Sequence, residues 1–322
     1  MFVNEELMTV DLSQLREVFG KRLREGVLLS QYTAARVGGS ARGLLEATSS
    51  DELAEFAGKL WKMGVPFVIL GGGSNVLISD HGYSGVVILN RARQYKVDER
   101  SISPSVWAES GANFGLLARQ VALLGLSGLE WAVGIPGTVG GAIVGNAGAH
   151  GSDIAGNLLM AEILHHFNWV SSEDIIRESW PVERMEYAYR SSLLKSQPGK
   201  AVVLSAMLAL ETSTIEQVQA RIEEFTSLRK RTQPPGASMG SMFKNPAGDY
   251  AGRLIDAAGL KGTRIGDAEI SQLHANFFMN KGRASAKDIF RLIQFVHRTV
   301  LKRFGVDLEL EIELIGDFTE LE

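Results

Sequence analysis

Between Gly134 and Gly151 the chain reads Gly-Ile-Pro-Gly-Thr-Val-Gly-Gly-Ala-Ile-Val-Gly-Asn-Ala-Gly-Ala-His-Gly. Glycine loses more conformational freedom on folding than any other residue, so a stretch this dense in it costs stability and needs a compensating role. One role is a backbone surface moulded to a large ligand, with amide N–H groups turned toward phosphate. The other is close packing of two elements. A flexible linker would be rich in Ser and charge, whereas this stretch interleaves Ile135, Pro136, Val139, Ile143 and Val144. The composition favours a ligand.

A second loop of the same kind precedes it. Phe67-Val68-Ile69-Leu70 is a continuous apolar run, the pattern of a strand buried on both faces. It empties into Gly71-Gly72-Gly73-Ser74-Asn75. Small residues there expose N–H donors, and the Ser and Asn side chains add hydrogen bonds. No Gly-Lys-Ser/Thr follows, and the spacing is not Gly-x-Gly-x-x-Gly opening a helix, so neither a P-loop nor a dinucleotide fingerprint is present. Alone, this loop is equally a tight turn. Two such loops in one chain point to a large phosphate-bearing ligand.

Around these loops the periodicity predicts a mixed α and β chain. Helices are expected at 11–25, 51–63 with Ser50 as N-cap, 113–124, 214–230, 250–258 and 286–303. Strands are expected within 32–39, entering a turn, and at 67–70, 86–89, 106–108, 159–170, 174–178 and 201–210. The opening β–α–β order indicates an α/β layer and the later strands an antiparallel sheet, with a domain boundary near 212–220. Leu308-Glu309-Leu310-Glu311-Ile312-Glu313-Leu314 alternates with period two. That places the leucines and Ile312 on a core face and the three glutamates on the other.

Bulk properties exclude several classes. The chain has 322 residues, enough for two or three domains, and a net charge of −4, which gives no electrostatic case for nucleic acid or an anionic membrane. Arg229-Lys230-Arg231 is too short to change that. There is no Cys, which removes disulfides, thiolate nucleophiles and Cys-ligated metals and fits a reducing cytoplasm. Met1-Phe2-Val3-Asn4-Glu5-Glu6 lacks the basic and apolar regions of a secretory leader, and no stretch has the length of a membrane span. The six histidines show no HExxH or other ligand spacing, so no metal is expected. Ser241 lacks a Gly-x-Ser-x-Gly elbow and a nearby His, so it is no hydrolase nucleophile.

In this order the motifs resemble one family, the UDP-N-acetylenolpyruvoylglucosamine reductases (MurB) of peptidoglycan precursor synthesis, in the subtype with the shorter substrate loop. The carrying motifs are Thr33-Ala34-Ala35-Arg36-Val37-Gly38-Gly39, Leu70-Gly71-Gly72-Gly73-Ser74-Asn75 and Gly134-Ile135-Pro136-Gly137-Thr138-Val139-Gly140-Gly141-Ala142. Downstream come Tyr189-Arg190-Ser191-Ser192, Gly240-Ser241-Met242-Phe243-Lys244-Asn245-Pro246, His274-Ala275-Asn276-Phe277 and Glu311-Ile312-Glu313-Leu314-Ile315-Gly316. The glycine loops are shared with a wider class of FAD proteins; the downstream motifs are specific to the reductases.

The resemblance implies an α+β fold. A two-lobed FAD-binding region of the vanillyl-alcohol-oxidase (PCMH) type, with lobes at 1–80 and 81–218, would precede a C-terminal α+β substrate domain at 219–322. It implies non-covalent FAD, contacted by Arg36, by Gly71, Gly72, Gly73, Ser74 and Asn75, and by Pro136, Gly137, Thr138, Gly141, Ala142 and Asn146. NADPH would give hydride to flavin N5 and leave. UDP-N-acetylglucosamine enolpyruvate would then accept hydride at C3 and become UDP-N-acetylmuramate. Arg190 would stabilise the enolate, its planar fork suiting a carboxylate. Ser241 would protonate C2 and Glu311 would assist the enol intermediate. Motif register, five residues before Gly316, is all that selects Glu311 over Glu309 and Glu313. Tyr189, Arg229, Lys244 and Asn245 are the implied substrate contacts.

Two positions depart from the family pattern. Glu313 stands where the family commonly has Arg, so that contact would fall to Arg229 or Lys230. Gly145 stands where a bulkier residue usually precedes Asn-Ala-Gly, which implies looser cofactor packing. A cytoplasmic monomer without nucleic-acid or membrane partners is expected. The competing readings are an FAD oxidase sharing only the cofactor domain and a non-catalytic flavin-binding module. The motifs at Tyr189–Ser192, Ser241 and Glu311 weigh against both.

Overall fold

Alternation along three strands builds the first layer of the protein, seen in a computed structural model that describes residues 11–166 and 175–319. Strands Arg24–Leu28, Ser40–Ala47, Tyr83–Asn90 and Phe67–Leu70 form a sheet in that order. The first pair is antiparallel and the other two are parallel. Leu45, Ala47, Val86 and Ile88 enter one core with helices α1 (Leu12–Phe19) and α2 (Ser50–Lys62). Leu44, Val87 and Leu89 enter a second core on the other face with Leu70, Ile78 and Tyr83. This sheet runs to Asn90, beyond the boundary expected at residue 80.

Tertiary packing redraws several local expectations here. The first helix stops at Phe19, because Gly20 takes a φ of 53° and residues 24–28 join the sheet instead. Phe67–Leu70 is a sheet edge, so only Leu70 is fully buried and the strand is not covered on both faces. Residues 32–39 form no strand, since their backbone bonds elsewhere: Ala34 N–H donates to Gly73 O and Gly39 N–H to Ser79 O. Ser49, not Ser50, caps α2, its Oγ accepting from Glu52 N–H. Ser50 is buried; its N–H donates to Glu109 Oε1 at 2.9 Å, and its Oγ lies within hydrogen-bond distance of that oxygen and of Leu204 O.

The second layer is an antiparallel sheet in the order Ile176–Pro181, Leu158–His165, Ala201–Ala209, Ser105–Glu109 and Tyr95–Asp98. Helices α3 (Phe114–Ala122) and α4 (Val139–Gly145) cover it, burying Phe114, Trp131, Ile143 and Trp180 in one core. The strand expected at 159–170 ends at His165; residues 167–170 and 174 lie outside the described residues. After the short α5 (Leu193–Ser196) and α6 (Ile215–Thr232) comes a third sheet, Ala237–Ser241, Phe277–Asn280, Ala268–Ile270 and Arg264–Ile265. It packs with α7 (Ala251–Ala257) and α8 (Ala286–Phe304) around Met242, Phe243, Phe278 and Leu292. The architecture is α+β throughout.

The period-two segment at 308–314 is not one strand. Glu313–Ile315 pairs parallel to Val76–Ile78, Leu310 makes a single antiparallel bridge to Phe243, and the chain bends between them at Glu311–Ile312. The bend breaks the common face expected for the glutamates. Glu309 and Glu313 side chains are 75% and 53% exposed, whereas Glu311 is 19% exposed.

Glu109 links the first two layers. Its buried carboxylate accepts Ser50 N–H through Oε1 and Gln94 N–H at 2.8 Å through Oε2. Glu109→Ala strands those donors and is expected to cost about 3 kcal/mol. A lowered urea midpoint with an unchanged far-ultraviolet circular dichroism spectrum checks this.

Candidate active site

The two glycine loops touch. A Cβ on Gly71 would sit 2.5 Å from Thr138 Oγ1, and one on Gly72 would sit 3.0 Å from Gly137 Cα. Ser74 Oγ donates to Pro136 O at 3.1 Å across the same contact. Gly72 packs backbone on backbone and Gly71 packs against the Thr138 side chain, so neither position has ready room for a Cβ. Among the described residues, the N–H groups of Gly72, Gly73 and Ser74 make no hydrogen bond within the chain. Neither loop carries an acidic side chain. A paired backbone cradle with uncommitted donors and no negative charge fits a phosphate group. Both roles considered for the glycines, close packing and a ligand surface, are thus met at once. Gly71–Asn75, Pro136, Gly137, Thr138, Gly141 and Ala142 line a cleft of about 3460 Å³.

Arg190 faces the same cleft from a tight turn closed by the Ala188–Ser191 bridge. Its φ is 54°, a left-handed conformation that costs about 1–3 kcal/mol in a non-glycine residue. The guanidinium is held in place: Nη2 donates to Gly148 O at 2.7 Å and Nη1 to Asn146 O at 3.3 Å. Nε lies 2.9 Å from Glu311 Oε1 as an ion pair, but its N–H is not aligned for a hydrogen bond and keeps donor capacity. Asn146 supports this turn. Its side chain donates to Ala188 O and accepts from Ala155 N–H, both at 3.1 Å, so its amide is engaged within the protein.

Glu311 meets Arg190 from the bend at 311–312. Burial pushes its pKa up, against the opposing fields of Arg190, Lys195 and Lys244. Its N–H donates to Met242 O at 2.9 Å, which pins it beside Ser241. Ser241 ends its strand after Gly240 and lines the cleft, and its hydroxyl makes no hydrogen bond to the described residues. Arg190, Ser241 and Glu311, from three distant parts of the sequence, therefore share one cleft.

The remaining expected residues divide. Lys244 lines the cleft, but its ammonium pairs with Glu309 at 3.0 Å. Asn245 Oδ1 accepts from Ala251 N–H at the start of α7, and Asn245 N–H donates to the Tyr189 hydroxyl at 3.5 Å. The Tyr189 ring lies 5.4 Å from the Arg190 guanidinium. Arg229 packs against Gly134; burial pushes its pKa down, and no carboxylate pairs with it among the described residues. Arg36 is exposed and stands outside the cleft lining.

One residue had no signal in the sequence. Lys195 of α5 reaches the Glu311 segment, with Nζ 3.3 Å from Glu311 O and 2.9 Å from Glu313 Oε1. It is the cation that pairs with Glu313. A lysine five residues beyond Arg190 belongs to no pattern that spacing could distinguish from a solvated one.

Comparison with known proteins gives this cleft a family. Residues 41–169 match the family model described as FAD binding domain, and residues 231–315 match UDP-N-acetylenolpyruvoylglucosamine reductase, C-terminal domain. The UDP-N-acetylenolpyruvoylglucosamine reductase of Chloroflexus aggregans is 43% identical over 94% of this chain and 100% of its own length. The chain belongs to the UDP-N-acetylenolpyruvoylglucosamine reductase family. The reductase of Rubrobacter xylanophilus is 43% identical over 90% of this chain and 94% of its own. The crystal structure of the Thermus caldophilus reductase (MurB) matches with a TM-score of 0.76 at 36% identity, covering 91% of this chain and 100% of that one. Both glycine loops fall within the matched FAD-binding segment.

Two outcomes follow from this geometry. Gly72→Val forces the loops apart, and FAD retention is expected to weaken by about tenfold or more, measured by flavin fluorescence on dilution. Glu311 has a folded-state pKa above its unfolded value, so its ionisation opposes folding above the folded pKa, and the penalty disappears as pH falls below the ordinary glutamate range. Glu311→Gln should raise Tm at about pH 8 and leave it unchanged at about pH 3.5.

Proposed function

We propose that the protein reduces UDP-N-acetylglucosamine enolpyruvate to UDP-N-acetylmuramate with NADPH, using non-covalently bound FAD. The observation that carries this reading is the half-buried Arg190–Glu311 pair, anchored beside Ser241 in the cleft that the glycine cradle also lines. An FAD oxidase or an inert flavin carrier has no need of a strained arginine, a desolvated carboxylate and an uncommitted hydroxyl in one place.

The 71–75 loop, with 136–142 packed against it, would hold the FAD pyrophosphate, the N–H groups of Gly72, Gly73 and Ser74 supplying the donors. FAD, when bound, supplies hydride transfer between the nicotinamide and C3 of the enolpyruvyl group. Arg190 binds the substrate carboxylate, and the negative charge developing there strengthens that contact in the transition state. The carbonyl anchors at Asn146 and Gly148 keep it oriented without reorganisation, and its Nε–H retains donor capacity for the substrate. Ser241 gives its hydroxyl proton to C2. Glu311, whose burial favours the protonated form, shares a proton with the enol oxygen. Arg229, a cation without a carboxylate partner among the described residues, takes the UDP diphosphate. Tyr189, Lys244 and Asn245 complete the sugar-nucleotide contacts.

In this reading residues 1–90 and 91–218 are the flavin-binding lobes and 219–322 the substrate domain, the first boundary following the sheet that ends at Asn90. Among the described residues no helix is long and apolar enough to cross a membrane. A monomer in the cytoplasm, where NADPH and nucleotide sugars are available, belongs to the same proposal.

The test is anaerobic. NADPH should bleach the flavin absorbance, and UDP-N-acetylglucosamine enolpyruvate should restore it; recovery by oxygen alone would favour the oxidase. Ser241→Ala is expected to keep bleaching intact while slowing recovery about 10³-fold. Equal loss in both steps would remove Ser241 from the role of proton donor.

A further inference from the structure

The bend that carries Glu311 is held from two directions. Its C=O accepts from Asn75 Nδ2 at 3.1 Å and from Lys195 Nζ at 3.3 Å. Two residues on, Glu313 N–H donates to Asn75 O at 2.9 Å, and Glu313 Oε1 pairs with Lys195 Nζ at 2.9 Å. Asn75 and Lys195 each therefore grip the bend twice. Asn75 ends the first glycine loop. Lys195 rises from α5, whose Leu194 is packed in the core of the second sheet.

The Lys195 side chain is 18% exposed. Sequestering a long cation costs desolvation and side-chain entropy. The exposed Glu313 carboxylate is a weak return, because water serves it almost as well. The other contact of Lys195 is to the main chain of the buried carboxylate itself. That carboxylate is faced by Arg190 from its turn, by Lys195 from α5 and by Lys244 beyond Ser241, with Glu309 and Glu313 on its own segment.

We infer that Lys195 is a positioning residue for Glu311: with Asn75 it clamps the backbone around the carboxylate and sets its distance to Arg190. The seat of Glu311 then depends at once on the cofactor loop and on α5. The inference rests on the reductase reading for its kinetic consequence, and not for its spectroscopic one.

The experiment compares Lys195→Met, Lys195→Arg and Glu313→Gln holoenzymes with the parent. The first readout needs no turnover. Isotope-edited infrared titration of ¹³C-glutamate-labelled protein, with Glu311 assigned by subtracting Glu311→Gln, gives the Glu311 midpoint. It should move up in Lys195→Met, which loses a facing cation, return in Lys195→Arg, and stay in place in Glu313→Gln. The second readout separates the half-reactions. Lys195→Met should bleach with NADPH at a rate within about twofold of the parent. Its recovery with the enolpyruvyl substrate should be slowed about 10- to 100-fold, and Lys195→Arg should regain most of it. An unmoved midpoint in Lys195→Met overturns the inference, as does a Glu313→Gln that reproduces Lys195→Met, or a parallel loss of both half-reactions. Should the parent itself not recover with the enolpyruvyl substrate, the reductase reading falls and the infrared midpoints still decide the role of Lys195.

Discussion

The contact between the backbones of Gly72 and Gly137 is the constraint on which the rest of the molecule turns. It joins the edge of the first sheet to the entry of α4 on the second, with no side chain between them. Any Cβ at 71 or 72 would push the layers apart and disperse the amides they present. The same loop continues through Ser74 and Asn75, and Asn75 grips the main chain at Glu311 and Glu313. One short run of small residues thus sets the shape of a phosphate cradle and the seat of a distant carboxylate.

Electrostatics divides the glutamates of the C-terminal segment by their solvation. Glu309 and Glu313 pair with Lys244 and Lys195 while remaining exposed, where such pairs contribute little. Glu311 is desolvated, and its pKa moves up although three cations face it. Burial outweighs attraction there, which makes the carboxyl able to hold a proton nearer neutrality than an ordinary glutamate. Its partner Arg190 adds backbone strain to the cost of burial. Both features work against stability, and both bring a charge-stabilising group and a proton-holding group into one cleft.

Local signals carried the regular elements far. Helix α8 has its apolar stripe, a Ser285–Asp288 capping box and Gly305 at its end, all set by neighbours within a turn. The α+β class, the two glycine loops and the three cleft residues Arg190, Ser241 and Glu311 were legible from motifs and their order. The misreadings share one cause. At Ser49-Ser50 either serine could cap α2, and only the buried Glu109 and Leu204 O draw Ser50 inward. In Phe67–Leu70 the apolar run is real, but composition does not tell a central strand from an edge that borders a cleft.

What the sequence by itself determined is therefore what depends on residues close along the chain: helix periods and caps, the glycine density that demands backbone contact, and the absence of thiol chemistry. Only the tertiary structure decided which glutamate is desolvated, that the Arg190 guanidinium is held by the carbonyls of Asn146 and Gly148, and that Lys195 reaches Glu311 and Glu313. The physical reason is that desolvation and ion pairing depend on distance in space. The bend at Glu311–Ile312, which breaks an otherwise regular alternation, is made by hydrogen bonds to Asn75, Lys195 and Met242, residues that share no local pattern with it.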